Sequence, residues 1–380
     1  MKLVCTADFH VHPYKLQSRD GGHDRMLDGL SCLRQSLELA RSVRAAWVFC
    51  GDFKQPKTNW PQEALTGAHA LLREYSDVEK LMIAGNHDAL GVGGSGLAPF
   101  RDCARVVEDL EVIALGGQEY VCAPWNVEAD RVRAAIDGRP SRPRALIAHG
   151  FIAGCMLGPE DARIAKGTPI ADYGSFEFAV FGDVHKGQWR RPADASSGQP
   201  PTWIAYPDNV AGKAVRVRGT GPLDGAWRGE VYYTGSPYQQ NWGERSDPPK
   251  GALLVEVDSG TVDLVPFDSP RFVHLDIDTV DRLEAFLARR EAHARDFVRV
   301  VYSGPGSMLV KAAELVGDAF RSYQFIHRRA TAPSERRADV HAGMSRREIL
   351  TRYYDARPLA GVDREVTLAA LFRLACATDE

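Results

Sequence analysis

Five short polar clusters follow one another along the chain, each closing an apolar run: Asp8-Phe9-His10, Gly51-Asp52, Gly85-Asn86-His87-Asp88, His149-Gly150 and Gly182-Asp183-Val184-His185. Together they offer carboxylate, imidazole and carboxamide donors and no thiol, a set that suits divalent ions such as Mn²⁺. Two such ions about 3.5–4 Å apart can hold both non-bridging oxygens of a phosphate together with an attacking hydroxide, which suits in-line phosphoester hydrolysis. Asp8 and His10 are two residues apart, so in an extended strand their side chains point the same way. Gly51 at a strand end lets Asp52 approach closely enough to bridge two ions. The third cluster combines a neutral oxygen ligand, an imidazole and, in Asp88, a carboxylate able to orient that imidazole. His149 taken singly would be an ordinary core or turn histidine. The ordered combination carries the reading.

Donors spread over this much sequence converge only if strand ends bring them together. Leu3-Val4-Cys5-Thr6-Ala7, Ala46-Trp47-Val48-Phe49-Cys50, Lys80-Leu81-Met82-Ile83-Ala84, Ala145-Leu146-Ile147-Ala148 and Phe178-Ala179-Val180-Phe181 are short apolar runs, as expected of strands buried on both faces. Leu27, Leu30, Leu33, Leu37 and Ala40 recur at helical spacing between the first two runs. The pattern predicts layered α/β structure, closed by a hairpin over 253–265 that turns at Asp258-Ser259-Gly260. A large domain over 1–268 is expected, followed by a β-α-β-α-β unit over 269–329 and a linker over 330–344. The last segment, 345–380, reads as a helical pair. Ile349, Leu350, Tyr353 and Tyr354 share one face of its first helix, and Leu371 and Leu374 lie on the second, which Asp363 can cap.

The seven cysteines are odd in number and form no Cys-x-x-Cys, so they read as small core residues. A net charge of −3 leaves no global basic field, so any nucleic-acid contact must come from local patches and metals. No apolar stretch approaches the ~20 residues that a membrane helix needs, and the N-terminus runs straight into a strand. A cytoplasmic protein without membrane contact is expected.

In this order the clusters resemble the calcineurin-like metallophosphoesterase superfamily. The likeness extends over roughly 1–268, and Gly51-Asp52-Phe53 and Asp88 differ from the protein-phosphatase pattern. Tyr233-Thr234-Gly235-Ser236-Pro237-Tyr238-Gln239-Gln240-Asn241-Trp242-Gly243-Glu244, then Lys250-Gly251 and Ser269-Pro270-Arg271-Phe272, are similar to SbcD-type DNA repair nucleases and their phage recombination relatives. The resemblance implies a four-layer αββα sandwich with a small capping domain at 269–329. It implies two divalent metal ions, Mn²⁺ or alternatively Mg²⁺. One would be held by Asp8, His10, Asp52 and His185, the other by Asp52, Asn86, His149 and Asp183, with Asp52 bridging. His87, positioned by Asp88, would stabilise the transition state or protonate the leaving oxygen. The implied reaction is hydrolysis of DNA, as a 3′-to-5′ exonuclease and single-strand endonuclease, by a homodimer working with an SbcC-like coiled-coil ATPase. The family's fifth motif is Gly-His-x-His, whereas this chain has Asp183 at the first histidine. An aspartate there adds charge, which favours a hard ion and makes it a weaker Lewis acid.

Residues 186–230 read as an insertion whose Trp189, with Lys186, Arg190 and Arg191, can stack on bases and meet phosphates; a self-packed hairpin is the alternative. The terminal helices, through Ile349, Leu350, Tyr353, Tyr354, Leu371 and Leu374, are the candidate docking surface for the ATPase. A phosphomonoesterase or cyclic-nucleotide phosphodiesterase, and a catalytically weak scaffold, are the competing functions, because a metal site alone does not select a substrate.

Overall fold

The computed structural model describes residues 1–12, 15–16, 23–55, 60–90, 94–139, 143–158, 162–174, 176–191, 202–207, 213–218, 230–320, 322–328, 346–356 and 363–368. Two seven-stranded sheets carry the architecture. The first runs, edge to edge, through Val215–Arg218, Thr261–Pro266, Gly251–Glu256, Lys2–Thr6, Ala46–Phe49, Lys80–Ile83 and Arg105–Val107. The second runs through Thr202–Ala205, Gln188–Arg191, Glu230–Tyr233, Phe178–Gly182, Ala145–His149, Gln118–Ala123 and Glu111–Leu115.

Alternation along the strands explains how the sheets pack. Leu3, Cys5, Val48 and Leu81 of the first sheet meet Tyr120, Ile147, Val180 and Tyr232 of the second in one core. Val4, Trp47, Phe49 and Met82 point the other way, against Leu33 and Leu37 of the helix Arg25–Val43 and Ala68 and Leu72 of the helix Gln62–Glu74. On the far side, Val121, Leu146 and Ala179 pack on Val132 and Ile136 of the helix Ala129–Asp137. The result is a four-layer αββα sandwich. In the first long helix the expected stripe is shifted in its opening turn: Leu27 is 59% exposed, and Met26 and Gly29 are buried instead.

The described parts of 186–230 do not stand apart as an insertion. Gln188–Arg191 pairs with Glu230–Tyr233 and Thr202–Ala205 inside the second sheet, while Val215–Arg218 forms the edge of the first. Trp189, Trp203 and Tyr206 pack into the sandwich.

Beyond the hairpin, Phe272–Ile277, Phe297–Tyr302 and Ser322–His327 form a parallel three-stranded sheet. The helices Val280–Leu287 and Leu309–Ala319 cover it, through Leu283, Leu287, Ala312 and Val316. Arg25, 2% exposed, ties this unit to the sandwich: its guanidinium bonds Asp28 at 2.7 Å and lies 5.4 and 4.9 Å from the ring centres of Phe272 and Phe297. The helix Arg346–Ala356 follows, and the Asp363 carboxylate accepts from the N–H groups of Glu365 and Val366 as a cap. Among the described residues no helix is long and apolar enough to cross a membrane.

Arg25→Ala removes a buried cation and strands the Asp28 charge, which should cost about 3–5 kcal/mol. Urea unfolding checks the loss, and faster proteolysis near 268–271 should accompany it. A change below about 1 kcal/mol would contradict the clamp.

Candidate metal centre

Parallel strands from both sheets end at one seam, where Ala148 and His149 pair with Phe181 and Gly182 and the chain leaves Thr6 and Phe49 side by side. Beyond those ends the backbone turns sharply. Asp8, His10, Asp52 and Asp183 have φ of 55°, 42°, 63° and 89°, in the left-handed region where a non-glycine residue carries strain on the order of 1–3 kcal/mol. The expectation that Asp8 and His10 share a side by strand alternation therefore does not hold. The strand stops at Thr6, and the two side chains are aimed by left-handed turns instead. Backbone bonds from Asp8 N to Gly51 O, His10 N to Asp52 O and Val11 N to Phe53 O zip the first two loops together.

These turns need bare backbone around them. Gly51 has φ of 97°, and a Cβ there would collide with the His149 ring, while one at Gly85 would collide with Asp52. The glycine beside Asp52 thus makes room for a histidine of the opposite sheet.

The donors meet in overlapping groups. Asp8, His10 and His185 bring ligand atoms within 4.8 Å of one another, and so do Asp8, Asp52 and His149, and His10, Asp52 and His87. His10 Nε2 and His185 Nε2 face each other at 3.1 Å, and His149 Nε2 lies 3.5 Å from Asp52 Oδ1 and 3.7 Å from Asp183 Oδ1. Asp52 is central: His10 Nε2 is 3.7 Å from its Oδ2, and the N–H of His87 donates to its Oδ1 at 2.8 Å.

Asp88 acts on the loops rather than on the His87 imidazole. Its Oδ2 accepts from Asp52 N and Gly85 N, and its Oδ1 from Phe53 N and Lys54 N. A carboxylate so placed fixes the backbone carrying Asp52 and Asn86, and the Asp88–His87 orientation expected from sequence is corrected accordingly. His87 is held through its backbone, with Lys54 Nζ on its carbonyl at 2.7 Å, and its ring meets His10 edge-on with centroids 4.7 Å apart.

Residues beyond the five clusters also build the centre. His185 Nδ1 meets Glu244 Oε1 at 3.0 Å. Tyr238 donates to Phe9 O at 2.7 Å and Gln240 to Asp8 O at 2.5 Å. Glu244 had no assigned role in the sequence reading; its place in the Asn241-Trp242-Gly243-Glu244 segment is the only sequence signal for it.

Electrostatics here are those of a site built for cations. Burial, with Asp52 and Asp183 nearby, pushes the Asp8 carboxyl up to about 7. Burial and Asp52 push Asp88 up to about 7 as well. Burial and the His185 charge hold His10 down at about 3, a neutral ring. Burial would lower His149, but Asp52 and Asp183 outweigh it and raise the ring to about 10.

The residues fit a divalent pair. His149 donates Nδ1–H to Cys50 O at 2.7 Å, which aims Nε2 at Asp52 and Asp183, so that this nitrogen offers a cation its lone pair once its proton is displaced; within hydrogen-bonding distance this buried nitrogen has no partner, nor does the buried Oδ1 of Asn86. Buried polar atoms without partners are costly unless something else satisfies them. Both belong to the donor set expected for the second ion.

Other expected contacts fall elsewhere. Lys186 is buried, with Nζ donating to Gly158 O at 3.2 Å. Trp189 stacks on Tyr232 at 6.2 Å, and burial lowers the half-buried Arg190 guanidinium. Trp189 belongs to the strand Gln188–Arg191 and packs against the core, and Lys186 lies buried just before that strand. The side chains of Arg191 and Tyr353, and all of Leu371 and Leu374, lie outside the described residues. Ile349 and Leu350 are half-buried, and Tyr354 is buried.

A donor set of this kind at converging strand ends suits metal-dependent phosphoester chemistry. Residues 1–172 match the family model of the calcineurin-like phosphoesterases. No curated protein matches the chain. Solved structures similar to it include a metallophosphoesterase from Sphaerobacter thermophilus, at 12% identity over 83% of this chain and 100% of that one, with a TM-score of 0.35. Another is described as a novel archaeal phosphodiesterase, at 12% identity over 54% and 100%, with a TM-score of 0.25. A third is a 5′-nucleotidase precursor from Thermus thermophilus, at 15% identity over 77% and 58%, with a TM-score of 0.34.

Because Asp8 and His149 hold protons near neutral pH in the metal-free centre, cation binding must displace them. Calorimetry at pH 7 in buffers of different ionisation enthalpy should show net proton release on Mn²⁺ addition. Affinity should rise as pH climbs from about 5 to 7. Binding without proton release would contradict these charge states.

Proposed function

We propose that the protein is a Mn²⁺-dependent DNA nuclease subunit, acting as a 3′-to-5′ exonuclease and single-strand endonuclease beside an SbcC-like ATPase. The observation that carries the hydrolytic part is the convergence of Asp8, His10, Asp52, His149, Asp183 and His185 at one seam, with unpartnered His149 Nε2 and Asn86 Oδ1. In this reading Asp8, His10, Asp52 and His185 hold one ion, Asp52, Asn86, His149 and Asp183 hold the other, and Mg²⁺ is the alternative metal. When bound, the pair supplies charge neutralisation for the phosphoryl oxygens and activation of a water.

The chain's own residues do the rest. Asp52 holds both halves of the centre at a fixed spacing through its left-handed turn. His87, its N–H on Asp52 and its carbonyl on Lys54, presents an imidazole at the rim for the leaving oxygen's proton. Asp88 keeps the two loops in register. Supporting DNA as substrate is the similarity of 233–251 to SbcD-type nucleases, together with the three-stranded unit that Arg25 and Gln239 tie to the centre's support. The terminal helices are the proposed ATPase dock, and a chain ending at residue 329 should no longer co-purify with the ATPase. Continued co-purification would remove that role.

End-labelled linear duplex DNA and bis(p-nitrophenyl) phosphate, each with Mn²⁺, test the reading side by side. Shortening of the DNA supports the nuclease. Cleavage of the small ester alone would move the function to another phosphodiesterase, and cleavage of neither would favour a scaffold. Asp183→Ala should lower Mn²⁺-dependent cleavage at least about tenfold, since losing a ligand or its support weakens a metal site by such factors. Unchanged activity would remove Asp183 from the centre.

A further inference from the structure

The segment after Tyr233 contributes no donor to either proposed ion, yet its side chains are more deeply buried than those of the ligand loops' rims. Thr234, Ser236, Tyr238, Gln239 and Glu244 are each at most 8% exposed. Around Glu244, polar atoms of this segment gather behind one histidine. Glu244 Oε1 meets His185 Nδ1 at 3.0 Å and accepts from Asn241 Nδ2 at 3.0 Å. Glu244 Oε2 accepts from Ser236 Oγ and Gln240 N, each at 3.2 Å, and pairs with Lys250 Nζ at 3.0 Å. Lys250 Nζ also donates to His185 O at 2.7 Å and to Asp247 at 2.9 Å.

We infer that Glu244 is a positioning residue that sets the tautomer of His185 and thereby holds one of the two metal positions selectively. An imidazole offers a cation its unprotonated nitrogen, and which nitrogen that is depends on the bond made by the other. Glu244 accepts the Nδ1–H of His185, so Nε2 is the nitrogen turned to the centre, 3.1 Å from His10 Nε2, and its lone pair is the one a cation would meet. The carboxylate also raises the basicity of that nitrogen. His149 is oriented differently, by the neutral Cys50 carbonyl at 2.7 Å. The two halves therefore have unequal supports: an ionised carboxylate behind His185 and a peptide oxygen behind His149. Burial opposes ionisation of Glu244, but Lys250 and His185 outweigh it and keep the carboxyl well below its ordinary range. Lys250 makes the buried anion tolerable and, through His185 O, fixes the backbone of the residue that the anion orients.

This rests on the two-metal reading, and Mn²⁺ binding to the full-length protein separates the two claims. Titration calorimetry of the unaltered protein should show two ions per chain; none would end the two-metal reading, whatever Glu244 does. Glu244→Gln keeps an acceptor toward Nδ1–H but loses the charge, so one of the two sites should weaken about 10-fold to 100-fold while the other stays within about threefold. Glu244→Ala should reduce stoichiometry from two to one, and Glu244→Asp should restore part of the weak site's affinity. A purely structural role would lower thermal stability and both affinities together. Equal weakening of both sites, or two unchanged sites in Glu244→Gln, would overturn the assignment.

Discussion

Everything at the centre depends on where the backbone of Asp52 is held. Its carboxylate lies in the seam between two sheets, within reach of His10 from one and His149 from the other. Its φ of 63° is maintained against strain by bonds on both sides: His10 donates to its carbonyl, and Asp88 accepts its N–H. Asp88 is fully buried and spends both oxygens on backbone N–H groups of residues 52–54 and Gly85. One carboxylate thereby locks the second loop to the third. The left-handed turns at four donor residues are stable only because these bonds, and the glycines opposite them, leave no other conformation that fits.

A second layer of support comes from a segment distant in sequence. Tyr238 and Gln240 grip the carbonyls of Phe9 and Asp8, while Gln239 accepts from the N–H of Phe272 at the start of the three-stranded unit. Neighbouring side chains of one loop thus bond the metal-side turn and the entry strand of the second unit. Arg25 donates to the Gln239 carbonyl and lies against Phe272 and Phe297. The small unit is fastened to the support of the centre itself.

Much of this was legible in the sequence, for identifiable reasons. Buried parallel strands print as unbroken apolar runs, so the five strands that end in ligands stood out, as did the hairpin over 253–265 and the β-α-β-α-β order. The pair Glu111–Leu115 and Gln118–Ala123 went unread, although Gly116 and Gly117, both at positive φ, mark its turn. The strands Gln188–Arg191 and Thr202–Ala205 fall within 186–230, which reads as an insertion because its Arg-rich, interrupted pattern resembles a loop. Pairing with Glu230–Tyr233 makes them sheet, a long-range effect that local pattern does not encode. The left-handed turns at Asp8, His10, Asp52 and Asp183 were equally hidden, because tertiary bonds impose them. Glu244 escaped for a related reason: a carboxylate's partner fifty-nine positions away leaves no spacing signature.

The account's central claim is that two divalent ions share Asp52. Anomalous scattering from crystals grown with Mn²⁺ tests it most directly. The account predicts two peaks about 3.5–4 Å apart, one among Asp8, His10, Asp52 and His185 and the other among Asp52, Asn86, His149 and Asp183. A single peak, or a pair that does not bridge through Asp52, would contradict it.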